Sequence, residues 1–440
     1  MIRLNLLGPA RQKDFDREMK PNKKSNKIAF FGVFGRQNLG NECTLQATMY
    51  NIHKALPDAT FTCVCTVPED TELRHGVPAF AAHQAYPAWL DSQLWSGRRS
   101  RLMRLLRKIL FRIPLELIHW ARGFKVIKGS HMLIVPGTQV VSDYVTGPFS
   151  WPYDIFKWAI IAKLCRARLL FLNIGVGPIY HPLSRWFIRT SLNFSDYRSY
   201  RDIASKQYVE KMGPCRGSDP VYPDLAFSLQ RTLLPACQNI GKQRPVFGIG
   251  LKDYLGREGL RDRHNNRTYR DYLNTLGDLV AWLCERNYMV RVIIGDTLYD
   301  SGVKQDFMES LHERGLMNKE GQIVNEPVFT VQQLLSQIAA IDFLVTSRFH
   351  NLVLALMLNK PVVCLSDHGK LDSLMTEIGL TEYCLPLANL DFDNLIDRLV
   401  KLEKNAEPLR LYVKQKTEEY RRTLDEQYTL ISNAFERTKR

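Results

Sequence analysis

The chain has 440 residues, 45% of them hydrophobic, and a formal net charge of +15. That length and apolar content make it a globular protein of two or three domains. The positive balance asks for an anionic partner, and by itself does not choose among nucleic acid, anionic lipid and a small phosphorylated substrate. Nine scattered cysteines, an odd number, several inside apolar runs, read as buried thiols in a reducing compartment with no zinc-like spacing. Cys63 and Cys65 fall on one face of a predicted strand, which fits packing better than a metal.

Residues 1–27 are polar and basic apart from Leu6-Leu7. They predict a mobile basic arm rather than a signal peptide, and no apolar run reaches transmembrane length, so a cytoplasmic protein is expected. A first Rossmann-like domain is predicted over 28–232. It opens with the strand Ile28 to Val33, the loop Gly35 to Glu42 and a helix through Leu45, Met49, Ile52 and Leu56. Such a loop offers backbone N–H groups to an anion, but it lacks the glycine spacing of a dinucleotide site and the lysine of a P-loop. Further strands follow at Phe61 to Val67, Met132 to Val135 and Leu169 to Ile174, with a helix over Ile155 to Ala167. A short strand, Tyr197 to Tyr200, then presents Arg201.

Residues 97–128 interrupt this domain with ten basic side chains against one acid, Glu116. Leu102, Leu105, Leu106, Ile109, Leu110, Ile113 and Leu117 recur there at helical spacing. Two readings stay open: a helix lying on an anionic membrane surface, peripheral to the inner face of the cytoplasmic membrane, or a surface helix whose apolar stripe packs on the domain. Aromatics do not interleave with the basic residues, so no nucleic-acid partner is expected.

A linker over 230–244 precedes a second Rossmann-like domain, 245–390. Its strands are predicted at Pro245 to Gly250, Met289 to Gly295, Ile341 to Thr346 and Pro361 to Leu365. Strands alternating with helices on both sides of the linker predict two doubly wound parallel sheets facing a cleft. A charged helical segment, 391–440, is expected to pack back on the first domain.

The chemistry is expected where strands end. Ser347-Arg348-Phe349-His350 joins a strand to a helix, and Lys370 follows the next strand. Parallel neighbours would bring Arg348, His350 and Lys370 into one crevice at the carboxyl ends of the sheet.

In combination these motifs resemble the polysaccharide pyruvyl transferase family over most of the chain. The resemblance rests on Gly32-Val33-Phe34-Gly35 with Asn38-Leu39-Gly40-Asn41-Glu42, on Asn173 to Pro178, on Arg201 to Ser205, and on Pro223 to Phe227. Ser347-Arg348-Phe349-His350 is its most specific part. Asn41 stands where the family usually has Asp, and Pro136-Gly137-Thr138-Gln139 replaces a glycine-rich motif, with Asp143 kept downstream.

The resemblance implies a fold similar to two-domain type B glycosyltransferases. It also implies transfer of the pyruvyl group of phosphoenolpyruvate, as co-substrate without a further cofactor or metal, to hydroxyls of a polysaccharide or lipid-linked saccharide acceptor. Arg201 and Arg348 would then hold the donor's phosphate and carboxylate, with Lys370 on the phosphate and Ser347 beside them. His350 would be the acid that protonates the methylene carbon. Gly35, Asn38, Glu42 and Asp143 are the acceptor-side candidates, the last two also as bases. The alternatives are a glycosyltransferase using a nucleotide sugar and a non-catalytic membrane-associated scaffold.

Overall fold

The computed structural model describes residues 26–86, 108–138, 140–144, 147–213, 219–235, 244–254, 267–318, 322–367 and 369–436. Most of the predicted arm, the start of the basic insert, Gln139 and His368 lie outside them. The first strand begins two residues earlier than expected, because Asn26 and Lys27 already pair with the neighbouring strand.

The first sheet takes β1 (Asn26–Phe31), β2 (Ala59–Cys65), β3 (Ala79–Ala81), β4 (Met132–Pro136), β5 (Arg168–Ile174) and β6 (Tyr197–Tyr200). Its helices are α1 (Leu39–Ala55), α2 (Pro68–His75), α3 (Ile113–Ile127), α4 (Trp151–Leu164), α5 (Pro182–Phe194) and α6 (Ile203–Lys211). A π-helical turn over Lys108–Arg112 leads into α3. The second sheet takes β7 (Val246–Leu251), β8 (Met289–Ile294), β9 (Ile323–Val324), β10 (Phe343–Thr346), β11 (Val362–Ser366) and β12 (Cys384–Pro386). Its helices are α7 (Arg267–Glu285), α8 (Asp300–Glu313), α9 (Val331–Ala339), α10 (Phe349–Met357) and α11 (Gly369–Glu377). Two helices, α12 (Phe392–Lys404) and α13 (Ala406–Glu436), end the chain.

The two sheets repeat one topology. Their orders are β3-β2-β1-β4-β5-β6 and β12-β11-β10-β7-β8-β9, with parallel pairing throughout. Helices cover both faces, so the inner strands are buried on each side and read as continuous apolar runs rather than alternating ones; β4, β7, β10 and β11 are buried at every residue. Local chemistry starts the helices where the loops need them. Asn38 caps α1 by accepting from Asn41 N, Asp202 caps α6 from Ser205 N, and Thr330 with Gln333 forms a capping box on α9. In each sheet the order reverses between its first and fourth strands, at β1/β4 and β7/β10, and a doubly wound sheet opens its crevice there.

The terminal helices divide their work, which corrects the expectation for 391–440. α12 packs on α7 and β11 of the second domain, while α13 runs back across α10, α1 and the short 3-10 turn Leu225–Ser228. Gln427 on α13 donates to Asn173 Oδ1 at 2.7 Å and to Ser199 Oγ at 3.0 Å, inside the first domain. Tyr412 on the same helix donates to the Ile378 carbonyl of the second domain at 2.9 Å. One helix therefore straps both domains together.

Candidate functional site

α10 begins where β10 ends, at the reversal point of the second sheet. Arg348 takes its N-cap position, and His350 enters the first turn of a helix that continues through the buried Asn351 into the buried apolar run Leu352–Met357. The His350 ring lies against Gly40 at the start of α1, so closely that a Cβ on Gly40 would overlap it. Nε2 of His350 is buried and meets no hydrogen-bond partner among the described residues. Burial pulls the pKa of this imidazole down to about 4, helped by Arg201, Arg348 and Lys370 and opposed by Asp224. The histidine is therefore neutral at physiological pH and feels all three cations at once.

Lys370 and Arg201 meet on one side of it. Lys370 stands in the first turn of α11, with Nζ buried and no hydrogen-bond partner among the described residues. Burial, then Arg201, lowers its pKa well below the usual lysine value, against Asp202. Arg201 follows β6, pairs with Asp224 at 2.9 Å and sits 3.9 Å from Asp202. Its guanidinium lies over the Phe349 ring, 4.4 Å from the centroid, and packs on Gly175, where a side chain would displace it. Arg201, Asp224, Phe349, Lys370 and Glu377 line a cavity closed by Tyr420 of α13. Its volume is about 10 Å³, room for one water.

Arg348 faces a different neighbourhood. Its guanidinium is ion-paired with Asp300 and lies 4.0 Å from Asp296. Burial works against its charge, but the two aspartates outweigh this and raise its pKa. Lys252, after β7, pairs with Asp367, after β11. Asp296 is itself buried, which raises its pKa despite Arg348. A buried carboxylate of this kind takes up a proton nearer neutral pH than an exposed one.

The loop before α1 reaches across to this second cluster. Asn38 Nδ2 donates to Asp296 Oδ2 at 2.7 Å, and Leu39 N donates to the Gly295 carbonyl at 3.0 Å. Thr297 N donates to the Gln37 carbonyl at 3.1 Å, and Arg36 donates to the Tyr299 hydroxyl at 2.9 Å. The domains are thus latched shut over His350.

The structure assigns the sequence candidates unequal duties. The strand-end argument expects Arg348, His350 and Lys370 in one crevice; the structure instead gathers His350, Arg201 and Lys370 around unpartnered buried polar atoms. Arg348 does not stand free for an anion, since two aspartates hold it. Ser347 is buried with its Oγ 3.3 Å from the Tyr272 hydroxyl. Gly35 adopts φ +75°, where a Cβ would strike the Val67 carbonyl, so the tight turn requires glycine. Its N–H donates to Glu42 Oε1 at 2.9 Å, while Glu42 Oε2 pairs with His75 at 2.8 Å. Asp143 accepts from the backbone N–H groups of Tyr180 and His181, each at 2.8 Å, at the start of α5. As bases Glu42 and Asp143 are both already engaged in holding loops.

Asp296 and Asp300 are absent from the sequence-derived set, although Gly295-Asp296 follows β8 as Ser347-Arg348 follows β10, so the same strand-end rule points to them. Asp224, quoted there only within a motif, turns out to be the partner of Arg201. Among the described residues no group of three or more His, Cys, Asp or Glu side chains forms a metal site.

Comparison with known proteins agrees with this layout. Several solved structures share the fold at low sequence identity. A UDP-N-acetylglucosamine 2-epimerase has 13% identity and a TM-score of 0.56, with 92% of this chain and 95% of that one covered. The UDP-GlcNAc 2-epimerase of Neisseria meningitidis bound to UDP-GlcNAc has 11% identity and a TM-score of 0.51, covering 91% and 99%. A UDP-glucose:anthocyanidin 3-O-glucosyltransferase in complex with UDP has 11% identity and a TM-score of 0.56, covering 94% and 100%. These likenesses establish two Rossmann-like domains of the glycosyltransferase type B arrangement. No curated protein matches the chain. The family model of polysaccharide pyruvyl transferase matches residues 38–369, from the Asn38 cap to the first residue of α11. By that match the chain belongs to the polysaccharide pyruvyl transferase family.

Proposed function

We propose that the protein transfers the pyruvyl group of phosphoenolpyruvate to two hydroxyls of a sugar, as a ketal, on a polysaccharide or lipid-linked glycan precursor. One observation carries the donor assignment: Lys370 Nζ and His350 Nε2 are buried without partners beside Arg201. A buried ammonium without a partner is costly, and a dianionic phosphate supplies what it lacks. Arg201 would bind the same ligand, and Arg348, held by Asp300 and Asp296, would position the neighbouring His350.

The phosphate reverses the electrostatics of His350. Burial and, after it, three cations depress the imidazole pKa, and a bound dianion raises it, so donor binding would load the acid. His350 Nε2 then gives its proton to the methylene carbon of the enol, leaving C2 electrophilic. A sugar hydroxyl adds at C2 and loses its proton. The C2–O bond to phosphate breaks, inorganic phosphate leaves with the bonding pair, and a second hydroxyl closes the ketal with loss of another proton.

The test pairs donors. Incubation with phosphoenolpyruvate and a glycan acceptor is expected to release inorganic phosphate and add a pyruvyl ketal to the sugar. Release of nucleotide from a uridine-sugar donor, with none of phosphate from phosphoenolpyruvate, would overturn the proposal in favour of glycosyl transfer.

A further inference from the structure

The helix α3 carries an exposed apolar stripe while two of its polar side chains are turned inward. Glu116 and His119 point inward: Glu116 accepts from Lys157 Nζ and from the Tyr153 hydroxyl, each at 3.0 Å, and His119 Nε2 meets the Ala81 carbonyl at 3.0 Å. Gly123 packs on the buried Trp158. Leu110 in the preceding turn and Ile113 and Leu117 in α3 recur at helical spacing and point outward, 62%, 52% and 64% exposed. A helix against water carries the opposite pattern. Of the two readings of the basic insert, a stripe packed on the domain core is therefore excluded for these residues. Those before Lys108 lie outside the described set.

The apolar surface continues onto the neighbouring helices. Trp120 of α3 donates to the Tyr153 hydroxyl of α4 at 3.0 Å. Phe149, 75% exposed, packs edge-on to Phe187, and Phe156 of α4 lies 5.1 Å from Trp186 of α5, ring centre to ring centre. Trp186 is 54% exposed. Apolar exposure running through three packed helices marks an interaction surface, where isolated exposed side chains would not.

Charge selects the occupant. The acids on α3, α4 and α5 are Glu116 and Asp154, and both turn inward to Lys157. Arg122, Lys125 and Lys128 beside the α3 stripe, and Arg185 and Arg189 on α5, are exposed. An apolar stripe with aromatic residues and a rim of one positive sign is what an interfacial element offers to acidic headgroups. We infer that α3, α4 and α5 form a docking face that rests on an anionic lipid bilayer. No helix among the described residues is long and apolar enough to cross a membrane, so the contact is one of surface insertion. It would hold the first domain against the membrane, where a lipid-linked acceptor is presented. The inference stands on this surface alone and does not depend on the donor chemistry.

Flotation of the full chain with vesicles tests it. Binding is expected to vesicles of phosphatidylcholine mixed with phosphatidylglycerol, and to weaken with added salt and on pure phosphatidylcholine. The double variant Ile113→Glu, Leu117→Glu is expected to lose about tenfold or more in partitioning, and Arg122→Glu, Lys125→Glu to lose the preference for acidic lipid. Unchanged circular dichroism and melting temperature would show that both variants fold. No vesicle binding by the wild-type chain, or equal binding by the Ile113/Leu117 variant, overturns the inference. So does a wild-type dimer that this variant converts to monomer without any vesicle binding, which would make the occupant a second copy of the chain.

Discussion

Lys370 and Arg348 are buried cations at the ends of adjacent strands, β11 and β10, yet their surroundings have opposite sign. Arg348 is held by Asp300 and Asp296, and its charge is stabilised. Lys370 has an unpartnered Nζ, and its charge is disfavoured. The difference separates a cation built into the protein from one left for a ligand. A strand-end argument on residue types sees two equivalent positive groups. Their carboxylate neighbours, brought in by other elements, decide which group is paired.

The largest expected effect concerns the histidine between them. His350→Ala should lower pyruvyl transfer by about 10²- to 10⁴-fold, with phosphoenolpyruvate still binding by calorimetry. Near-normal turnover would remove His350 from the mechanism. Next comes the comparison itself, read by denaturant unfolding without donor. Arg348→Met should cost about 3–5 kcal/mol, because it strands two buried aspartates. Lys370→Met should be neutral or stabilising, because it deletes a buried charge with no partner; it should nonetheless weaken the donor at least tenfold. Equal destabilisation by both variants would erase the distinction.

Closure offers a third way to sharpen it. Gly40→Ala places a methyl group where the His350 ring lies, so the domains could not latch. Turnover should fall about tenfold or more, since a small misplacement of a reacting group is costly. Unchanged turnover would mean that chemistry does not need the closed form.

The smallest effect is on pH-dependent stability. The folded-state pKa of His350 is about 4, against an ordinary 6.5. Above pH 6.5 the group is neutral in both states and costs nothing. As pH falls from 6.5 to 4 the unfolded chain gains a proton that the folded chain does not. Stability therefore declines through that window by up to about 3 kcal/mol and levels off below it. His350→Asn should remove this part of the slope between pH 6.5 and 4. Identical slopes in the two proteins would show that the imidazole is not buried neutral.

Much of this was legible before the structure. The apolar runs of β1, β4, β5, β7, β8, β10 and β11 stand out because strands buried on both faces need near-continuous apolar residues. The positions of Arg201, Arg348, His350 and Lys370 followed from punctuation at strand ends, and the motifs around them carried the family resemblance. The edge strands β3, β9 and β12 were not readable, being two or three residues long. Nor were α2 and α6, whose exposed faces leave a weak apolar pattern. Of the predicted stripe on the basic insert the structure describes Leu110, Ile113 and Leu117, and helical periodicity does not say whether these face the core or the solvent. That depends on Glu116 and His119 finding partners in Tyr153, Lys157 and Ala81, residues from other elements.

From its own order of residues, then, this protein determined two parallel sheets, the family motifs and the identity of the charged groups at the carboxyl ends of its strands, because hydrophobic period and turn chemistry are local. Tertiary structure alone decided that Arg348 is paired and Lys370 is not, that His350 is pressed against Gly40 with its pKa lowered, and that α3 shows its apolar side outward. Each of these is set by what a side chain meets from distant parts of the chain, through burial and Coulomb interactions that fall off with distance in space and not along the sequence.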